Sequence, residues 1–364
     1  MSLPPPWYIA ARIGGDPNGP GPFGGGAPHG ATDTPATWQD GAILAAVAAG
    51  IDRDNPLAVL ALQEVPEPAP PEGWEILEVR AAALNRHDWW SLRGVGVTDD
   101  LVPVVLGCDC AGVTADGREV VVHAVLSIAA PGEDETLSPD FHLLSERGIP
   151  GTLAPRVAVP SRNLVEKPPS LTFSEAACLP VAYLTAYRMM FTRAGLTPGQ
   201  SVLVQGAGGG VATAAIVLGV AAGLTVYATS RTEAKRERAL ALGAAAAIEP
   251  GGRLPERVDA VVETVGKATW DHSLKSLRPG GVVVVSGATT GPDPSADLSR
   301  VFWRQLSVVG SSMGTREELV ALCALLQETG ARPVIDSEWP LERAQEAFDR
   351  LLSDDLFGKV VVIP

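Results

Sequence analysis

The spacing of apolar residues changes along the chain. Across residues 41–169, short apolar runs of strand length alternate with glycine and proline, as at residues 119–123. This punctuation predicts a small, mostly β domain. Across residues 170–312, strand-length runs, such as 259–264 and 281–286, alternate with longer runs of helix length. That alternation predicts an α/β domain built on a doubly wound parallel sheet.

The two ends of the chain follow other patterns. Sixteen of the first 40 residues are glycine or proline, and we expect residues 1–40 to form a flexible tail. A helix predicted at residues 341–352 leads to an apolar run at residues 358–363, which we expect to return as a strand to the first domain. The uncharged stretch 201–230 contains a glycine cluster, which favours a buried strand–helix–strand unit over a membrane span.

The composition is that of a globular protein. The 364 residues exceed one average domain and 46% of them are hydrophobic, so we expect two domains with ample cores. The formal net charge of −14 argues against nucleic acid or an anionic membrane as the main partner. Four cysteines in so long a chain do not make a disulfide scaffold, and a reducing, cytoplasmic location is expected.

A glycine cluster is the strongest chemical signal in the sequence. An apolar run ends at Gln205, glycines follow at Gly206 and at positions 208–210, and an apolar helix is predicted from Val211. A strand, a glycine turn and a helix start together bind the pyrophosphate of a dinucleotide, because the backbone can approach the phosphate closely. Gly208, Gly209, Gly210 and Val211 are therefore predicted cofactor-binding residues. The alternative is an ordinary glycine-rich loop.

The next predicted strand, residues 224–230, bears on the choice of cofactor. NAD-selective sites usually carry Asp or Glu about 20 residues after the glycines, where it binds the ribose hydroxyls. Here that position is Thr229, followed by Ser230, Arg231 and Lys235. A hydroxyl and two cations would bind a 2′-phosphate, so the sequence predicts NADPH over NADH. The alternative is that Arg231 and Lys235 are solvated residues opening the next helix.

Several short motifs occur in an order and spacing typical of one family. They lie at residues 81–88 (AAALNRHD), 106–113 (LGCDCAGV), 151–159 (GTLAPRVAV), 177–186 (ACLPVAYLTA), 302–310 (FWRQLSVVG) and 357–361 (FGKVV). With these motifs the chain resembles the medium-chain dehydrogenase/reductase superfamily, especially its zinc-free, quinone-oxidoreductase-like branch. The resemblance implies a GroES-like catalytic domain at residues 41–169, completed by residues 313–364, and a Rossmann NADP-binding domain at residues 170–312. It also implies a cleft between the two domains that holds the nicotinamide, and a homodimer. The expected partner is a small-molecule carbonyl substrate.

The metal ligands of the zinc-dependent members are not matched. Those enzymes use a cysteine, a histidine and a further Cys, His or acidic residue, whereas this chain has Asn85, Cys108 with Asp109, and Val181. A tetrahedral zinc ion needs three good protein ligands beside its open position, so no metal site is predicted. Cys108 and Cys110 would share one face of a strand, but that pair leaves the site a ligand short.

A reaction without zinc is the next expectation. Lacking a Lewis acid, the site favours hydride addition to the β-carbon of an enone, enal or quinone, because the resulting negative charge spreads into an enolate. The sequence therefore predicts an NADPH-dependent, metal-free oxidoreductase of conjugated carbonyls. Three alternatives stay open: a carbonyl/alcohol oxidoreductase, a tailoring reductase for one natural product, and an NADPH-binding module without turnover.

Three neighbouring residues are the candidate catalytic groups. His87 stands where zinc-dependent relatives usually place a proton-relay hydroxyl, and an imidazole could protonate an enolate or an alkoxide. His87 could equally be a structural histidine. Asn85 could donate to the substrate carbonyl or brace its loop, and Asp88 fits a structural role better. Trp89 and Trp90 could wall a flat pocket or simply pack.

The remaining cofactor contacts are implied by the resemblance alone. The alternative for the serines and threonines among them is the capping of a following helix. The implied contacts are Thr185, Tyr187, Thr264, Val265, Ser286, Gly287, Ala288, Ser311, Ser312 and Lys359.

Overall fold

The computed structural model describes residues 37–130 and 132–364. Residues 1–36 of the predicted tail lie outside the described residues. The predicted boundary of the tail at residue 40 was wrong, because residues 37–40 belong to the first strand.

The N-terminal part is mostly β, as its punctuated apolar pattern predicts. A three-stranded sheet has the order β2-β1-β4, and β10-β6-β5-β3 form part of a larger mixed sheet in which β9 also pairs with β3. One short helix interrupts the strands directly after β3. The elements are β1 (Thr37–Ala48), β2 (Leu60–Ala69), β3 (Trp74–Ala83), α1 (Arg86–Ser91), β4 (Val104–Val105), β5 (Asp109–Thr114), β6 (Glu119–Val122), β7 (Val125–Leu126), β8 (His142–Leu143), β9 (Arg156–Pro160) and β10 (Leu164–Glu166).

The following part alternates helices and strands. A helical stretch with two π-helical segments comes first, and six strands follow, with a helix between each consecutive pair except β13 and β14. These elements are α2 (Phe173–Ala177), a π-helical segment (Leu179–Tyr183), α3 (Leu184–Tyr187), a π-helical segment (Arg188–Arg193), β11 (Ser201–Val204), α4 (Gly210–Ala221), β12 (Thr225–Thr229), α5 (Glu233–Ala241), β13 (Ala246–Ile248), β14 (Val258–Glu263), α6 (Trp270–Ser276), β15 (Leu277–Val285), α7 (Leu298–Arg304) and β16 (Ser307–Gly310).

The six strands form one parallel sheet with the order β13-β12-β11-β14-β15-β16. This is the doubly wound order, in which the chain reverses its direction of winding between β11 and β14. Ligands of such sheets bind in the crevice at this switch point, beyond the carboxyl ends of the strands. The fold expected from the sequence, a mostly β region and a doubly wound parallel sheet, is confirmed.

The C-terminal part comprises α8 (Arg316–Thr329), β17 (Ile335–Pro340), α9 (Ala344–Leu352) and β18 (Lys359–Ile363). β18 pairs antiparallel with β3 and parallel with β17, so the chain returns to the large mixed sheet. The strand that ends the chain therefore lies directly beside the strand that leads into α1. Within the described residues, the helices are too short or too polar to cross a bilayer.

The parallel sheet and its helices enclose an apolar core. α4 shows why the local sequence folds as it does: it has no charged residue, and all positions from Ala212 to Gly219 are buried. A helix that is apolar on every side is stable only when it is covered all around. Burial of α4 fixes the glycine turn at its start against the carboxyl end of the sheet.

Candidate active site

The glycine turn has a backbone that only glycine adopts easily. Gly206 and Gly208 have φ values of 73° and 132°, in the region disfavoured for other residues. A Cβ placed on Gly209 would meet no atom of the described residues within 4 Å, so the face of the turn at α4 is open. The first N–H groups of α4 lack acceptors within the helix. An anion such as a pyrophosphate fits this place.

The residues present also fit the remainder of a dinucleotide. The carboxyl ends of β14, β15 and β16 lie side by side, since the N–H of Ser286 donates to Glu263 O at 3.0 Å and that of Ser311 donates to Val285 O at 2.9 Å. The buried hydroxyl oxygen of Ser311 has no hydrogen-bond partner among the described residues. A buried polar atom without a partner at the end of a parallel sheet is able to bind a ligand there.

The other predicted cofactor contacts fall around the same edge. Thr264 and Val265 follow β14, and Gly287 lies against them, because a Cβ on Gly287 would be 3.0 Å from Thr264 O. Ala288 and Ser312 are exposed beyond the strand ends, whereas Thr185 on α3 is buried.

The two predicted phosphate-binding cations, Arg231 and Lys235, both contact one acidic residue. The Nη2 of Arg231 lies 3.0 Å from Asp354 Oδ1, and Lys235 Nζ donates to the backbone oxygen of Asp354 at 2.6 Å. A Cβ on Gly208 would be 2.9 Å from the same Lys235 Nζ. Lys235 therefore lies beside the glycine turn, and Arg231 shares its Asp354 partner.

The hydroxyls at the end of β12 are less available than the sequence suggested. Thr229 is fully buried, and its Oγ1 donates to Gln205 Oε1 at 2.7 Å and accepts from the N–H of Gly206 at 3.0 Å. Its hydroxyl is therefore consumed in holding the glycine turn. Ser230 is 5% exposed and its N–H donates to Ile248 O, so of the predicted 2′-phosphate contacts only the two cations remain available.

A buried polar network beneath the sheet edge was missed at the sequence level. Glu263, fully buried at the end of β14, accepts hydrogen bonds from the N–H groups of Val265 and Gly266 and from the hydroxyls of Thr269 and Ser273. Ser273 Oγ also accepts from Gln205, which connects the network to the glycine turn. The available signal was a glutamate ending an otherwise apolar strand.

A second cluster surrounds the candidate catalytic residues. Lys359, at the start of β18, is 2% exposed, and its Nζ donates to Leu84 O at 2.8 Å, Asn85 Oδ1 at 2.6 Å and Asp109 Oδ2 at 3.0 Å. Burial raises the pKa of Asp109, while the Lys359 ammonium opposes that rise. The aliphatic part of Lys359 lies against Gly210, with Cδ 3.0 Å from where a Cβ would stand. One side chain thus connects the start of α4 to the loop of Leu84 and Asn85 before α1.

Asn85 braces its loop. Its Nδ2 donates to Asp109 Oδ2 at 2.8 Å and to Ala83 O at 3.3 Å, and its Oδ1 accepts from Lys359. Both amide hydrogens are engaged within the protein. Of the two roles left open by the sequence, donation to a substrate carbonyl and bracing, the geometry favours bracing.

Asp88 is the third residue of α1, and its carboxylate binds the N-cap residue of that helix, Asn85. Its Oδ2 accepts the N–H of Asn85 at 2.7 Å, which completes a capping box. Its Oδ1 lies 4.0 Å from Cys108 Sγ. Burial raises the pKa of Asp88 to about 6, and the charge of His87 works against this rise. The role is structural, and the protonation state of Asp88 changes near neutral pH.

Asp88→Asn should alter the pH dependence of stability. An unfolded aspartate titrates near 3.9, so the stability that Asp88 contributes is complete below about pH 4 and is lost as pH rises through about 6. Above pH 6 the wild type bears the cost of a buried carboxylate. Urea denaturation from pH 4 to pH 8 should show Asp88→Asn gaining on the wild type by up to about 3 kcal/mol.

Asp52→Asn is the control of opposite sign. The carboxylate of Asp52 accepts the N–H groups of Asp54 and Asn55, which lowers the pKa of Asp52. Its stabilisation is present above the unfolded pKa and is lost on acidification, so this variant should lose stability at neutral pH. A flat difference between Asp88→Asn and wild type across this range would contradict the role given to Asp88.

His87 lies at the boundary of this cluster, on α1. Its side chain is 19% exposed, and Nε2 stands 3.3 Å from Glu146 Oε1, without hydrogen-bond geometry to any group in the described ranges. Glu146 Oε2 is itself fixed by the N–H of Leu143 at 2.8 Å. A buried imidazole nitrogen beside a fixed carboxylate can hold a proton and pass it on.

The donor set does not fit a zinc ion. The Cys108 thiol donates to Leu144 O at 3.2 Å, and burial raises its pKa well above the ordinary value, which disfavours the thiolate that zinc binds. The Lys359 ammonium already lies between Asn85 and Asp109. Across the part of the chain that is described, histidine, cysteine and acidic side chains do not converge in threes in a metal-binding arrangement.

The expectation that Cys108 and Cys110 share a face was wrong. Cys108 precedes β5 and packs with Ala124, Val125 and Met313, whereas Cys110 packs in the core around Leu77. Gly107, with φ of 103°, turns the chain just before them, so strand alternation does not apply to Cys108.

The paired tryptophans pack against each other and against an arginine. Trp89 and Trp90 pack edge to face with ring centroids 4.7 Å apart, and the Arg93 guanidinium lies 4.9 and 5.0 Å from the two rings. Trp90 is 38% exposed. These contacts support the packing role for the two tryptophans over the pocket-wall role. Part of the Trp90 ring remains open to solvent.

Fold and site together give a mostly β region and a doubly wound parallel sheet, whose glycine turn lies next to a buried polar cluster. The family model described as "Zinc-binding dehydrogenase" matches residues 210–328. The positions of Asn85, Cys108 and Val181 lie outside this match, so it carries no information about zinc ligands.

Relatives extend the likeness over most of the chain. The "synaptic vesicle membrane protein VAT-1 homolog" of Homo sapiens is 30% identical over 335 residues, 82% of this chain and 80% of that protein. The "2-methylene-furan-3-one reductase" of Solanum lycopersicum is 34% identical over 79% of this chain and 71% of that one. A crystal structure of an NAD-dependent alcohol dehydrogenase superposes with a TM-score of 0.81 and 33% identity, covering 88% of this chain and 99% of the other. The chain belongs to the medium-chain dehydrogenase/reductase superfamily of oxidoreductases.

Proposed function

We propose that this protein is an NADPH-dependent, metal-free reductase that directs hydride to the β-carbon of a conjugated carbonyl, an enone, enal or quinone. The relatives support the substrate class. The tomato protein is named for a ketone conjugated to a methylene group, and a quinone oxidoreductase of Pongo abelii is 27% identical over 84% of this chain and 94% of that one.

The position of Lys359 carries the proposal. Its stem lies against Gly210, at the start of α4 where a pyrophosphate would bind, and its ammonium is buried between Asn85 and Asp109. The side chain of Lys359 therefore spans the whole distance between the glycine turn, where the cofactor would bind, and the polar cluster of Asn85 and Asp109. A fixed ammonium also occupies the neighbourhood where zinc-dependent relatives bind a dication, and like charges repel strongly at low dielectric.

The cofactor assignment rests on charge. When bound, the reduced nicotinamide supplies a hydride. Arg231 and Lys235 would bind a 2′-phosphate, and the start of α4 would bind the pyrophosphate. Both cations already lie next to each other, because each contacts Asp354.

The proton would come from His87. Conjugate addition leaves the negative charge spread over an enolate, which needs donors but no strong Lewis acid. Asn85 and Lys359 hold the loop before α1, and Glu146 faces the imidazole of His87 from the other side. These residues orient a proton carrier while their own donors stay engaged.

Chelation combined with a substrate panel tests the proposal. The purified protein is treated with a chelator, its zinc content is measured, and oxidation of NADPH and NADH is followed with enones, quinones and saturated aldehydes. We expect chelation to change the rate by less than about twofold, because no Lewis acid is needed. Enones or quinones with NADPH should be the fastest combination.

Other outcomes identify other functions. One zinc per chain, with activity lost on its removal, would overturn the metal-free reaction. Binding of NADPH without oxidation on any substrate would favour a non-catalytic binding module. Activity confined to one elaborate substrate would favour a tailoring reductase.

A second candidate is direct reduction of a saturated carbonyl, with His87 as the proton relay. The observation in its favour is the buried Nε2 of His87, unpaired within the described residues and 3.3 Å from Glu146. An alkoxide is more basic than an enolate, because its charge is localised, and its formation therefore depends more on a proton donor. Faster turnover of saturated aldehydes than of enones would favour this function.

A further inference from the structure

One short segment connects the predicted phosphate site to the catalytic cluster. This segment, residues 354–359, joins α9 to β18. Asp354 meets Arg231 and Lys235. In its middle, the N–H of Gly358 donates to Gly208 O at 2.9 Å. At its end, Lys359 reaches Asn85 and Asp109.

The charges around Asp354 are arranged asymmetrically. The neighbouring carboxylate of Asp355 is engaged by Arg350 Nη1 at 2.6 Å and by the hydroxyl of Ser353. Asp354 instead points its carboxylate at Arg231, and its backbone oxygen accepts from Lys235. One acidic residue thus contacts both cations that the proposed function assigns to the 2′-phosphate.

Both partners of the ion pair are accessible to a ligand. Arg231 is 80% exposed and Asp354 is 97% exposed at the side chain. An exposed pair of this kind is weak and is easily exchanged. A phosphate carries more charge than a carboxylate and forms stronger charge-assisted bonds to a guanidinium. A 2′-phosphate is therefore able to replace Asp354 on Arg231, and the carboxylate stays nearby as a repelling charge.

We propose that Asp354 is a specificity-determining residue that competes with the 2′-phosphate for Arg231 and so limits the preference for NADPH over NADH. The inference rests on the proposed function, because it requires a 2′-phosphate at this place. Its effect is confined to ligands that carry that phosphate. A ligand with a free 2′-hydroxyl does not need the Arg231 guanidinium.

The test uses two nucleotides that differ only in this phosphate, adenosine 2′,5′-bisphosphate and adenosine 5′-monophosphate. Titration calorimetry on the full chain compares wild type with Asp354→Asn. We expect the bisphosphate to bind about 3- to 10-fold more tightly to the variant, the size expected from removing an exposed ion pair and its repulsion. The monophosphate should change by less than about twofold.

Two further variants make the result specific. Asp349→Asn removes the same charge from an exposed position on the preceding helix and should leave both affinities unchanged within about twofold. The double variant Arg231→Ala/Lys235→Ala should weaken the bisphosphate by about 10- to 100-fold and the monophosphate little. Circular dichroism of each variant checks that it is folded.

The outcomes separate the two proposals. If wild type binds the two nucleotides equally and the double variant changes neither, the 2′-phosphate site is wrong and the inference falls with it. If wild type prefers the bisphosphate but Asp354→Asn tightens it no more than Asp349→Asn does, the role of Asp354 alone is overturned. A gain specific to Asp354→Asn and to the bisphosphate supports the inference.

Discussion

Replacing Lys359 by methionine is expected to lower the free energy of unfolding by about 3–5 kcal/mol, because the buried Asp109 carboxylate loses its cation. The pair is 2% and 0% exposed, so water cannot take over the role of the ammonium. Asp109 Oδ1 already lacks a hydrogen-bond partner among the described groups, and in the variant Oδ2 would keep only Asn85. Urea denaturation of wild type and variant, side by side, measures the loss.

Lys167→Met is the matched control for this prediction. Lys167 is 5% exposed, but its carboxylate partner Glu119 is 54% exposed and returns to water when the lysine is removed. The control should therefore lose less, about 1–2 kcal/mol, mainly through carbonyl oxygens left without a donor. Adding Asp109→Asn to Lys359→Met should recover part of the loss, since the orphaned charge is gone. Equal losses from both lysine variants would contradict the importance of the buried pair.

Replacing His87 by glutamine should lower kcat for reduction by about 10²- to 10⁴-fold, the usual contribution of a positioned proton donor. Glutamine keeps a hydrogen-bonding group near Glu146 but has no titratable nitrogen. The affinity for NADPH should stay the same, because His87 lies on α1 and the predicted pyrophosphate and 2′-phosphate contacts lie on other elements. Steady-state kinetics with a fixed enone, together with NADPH titration, separates the two effects.

His142→Gln provides the control for His87. His142 is a half-buried histidine on β8 whose Nδ1 lies 2.8 Å from Asp140 O, so its ring is engaged outside the proposed proton path. It should retain normal kcat. A His87→Gln variant with turnover within about threefold of wild type would contradict the proton-donor role, because a positioned general acid contributes about 10²- to 10⁴-fold. Conjugate reduction would then need another proton source.

The site itself was only partly predictable. The glycine turn, Arg231 and Lys235 could be singled out because the residues act within a few positions of each other. The roles of Thr229 and Asn85 could not be chosen from the sequence. Their polar groups are consumed by partners 24 positions away in Gln205 and Asp109, and 274 positions away in Lys359.

Local sequence determined the elements of this protein. Apolar runs bounded by glycine predicted the parallel strands and α4, because periodicity and turn chemistry act over short stretches. The predicted ends of these elements differ from the observed ones by a few residues. The strand expected at residues 281–286 is β15, Leu277–Val285. The helix expected from residue 341 is a 3₁₀ turn followed by α9.

Tertiary structure alone decided which polar groups are engaged and which stay available. The return of β18 to β3 brings Lys359 into the site of Asn85, and the preceding segment brings Asp354 to Arg231. These contacts join residues more than a hundred positions apart, so no local pattern encodes them. Burial then sets the consequence for Lys359, because removing a charge from water makes its partner indispensable, whereas the exposed Asp354–Arg231 pair stays exchangeable.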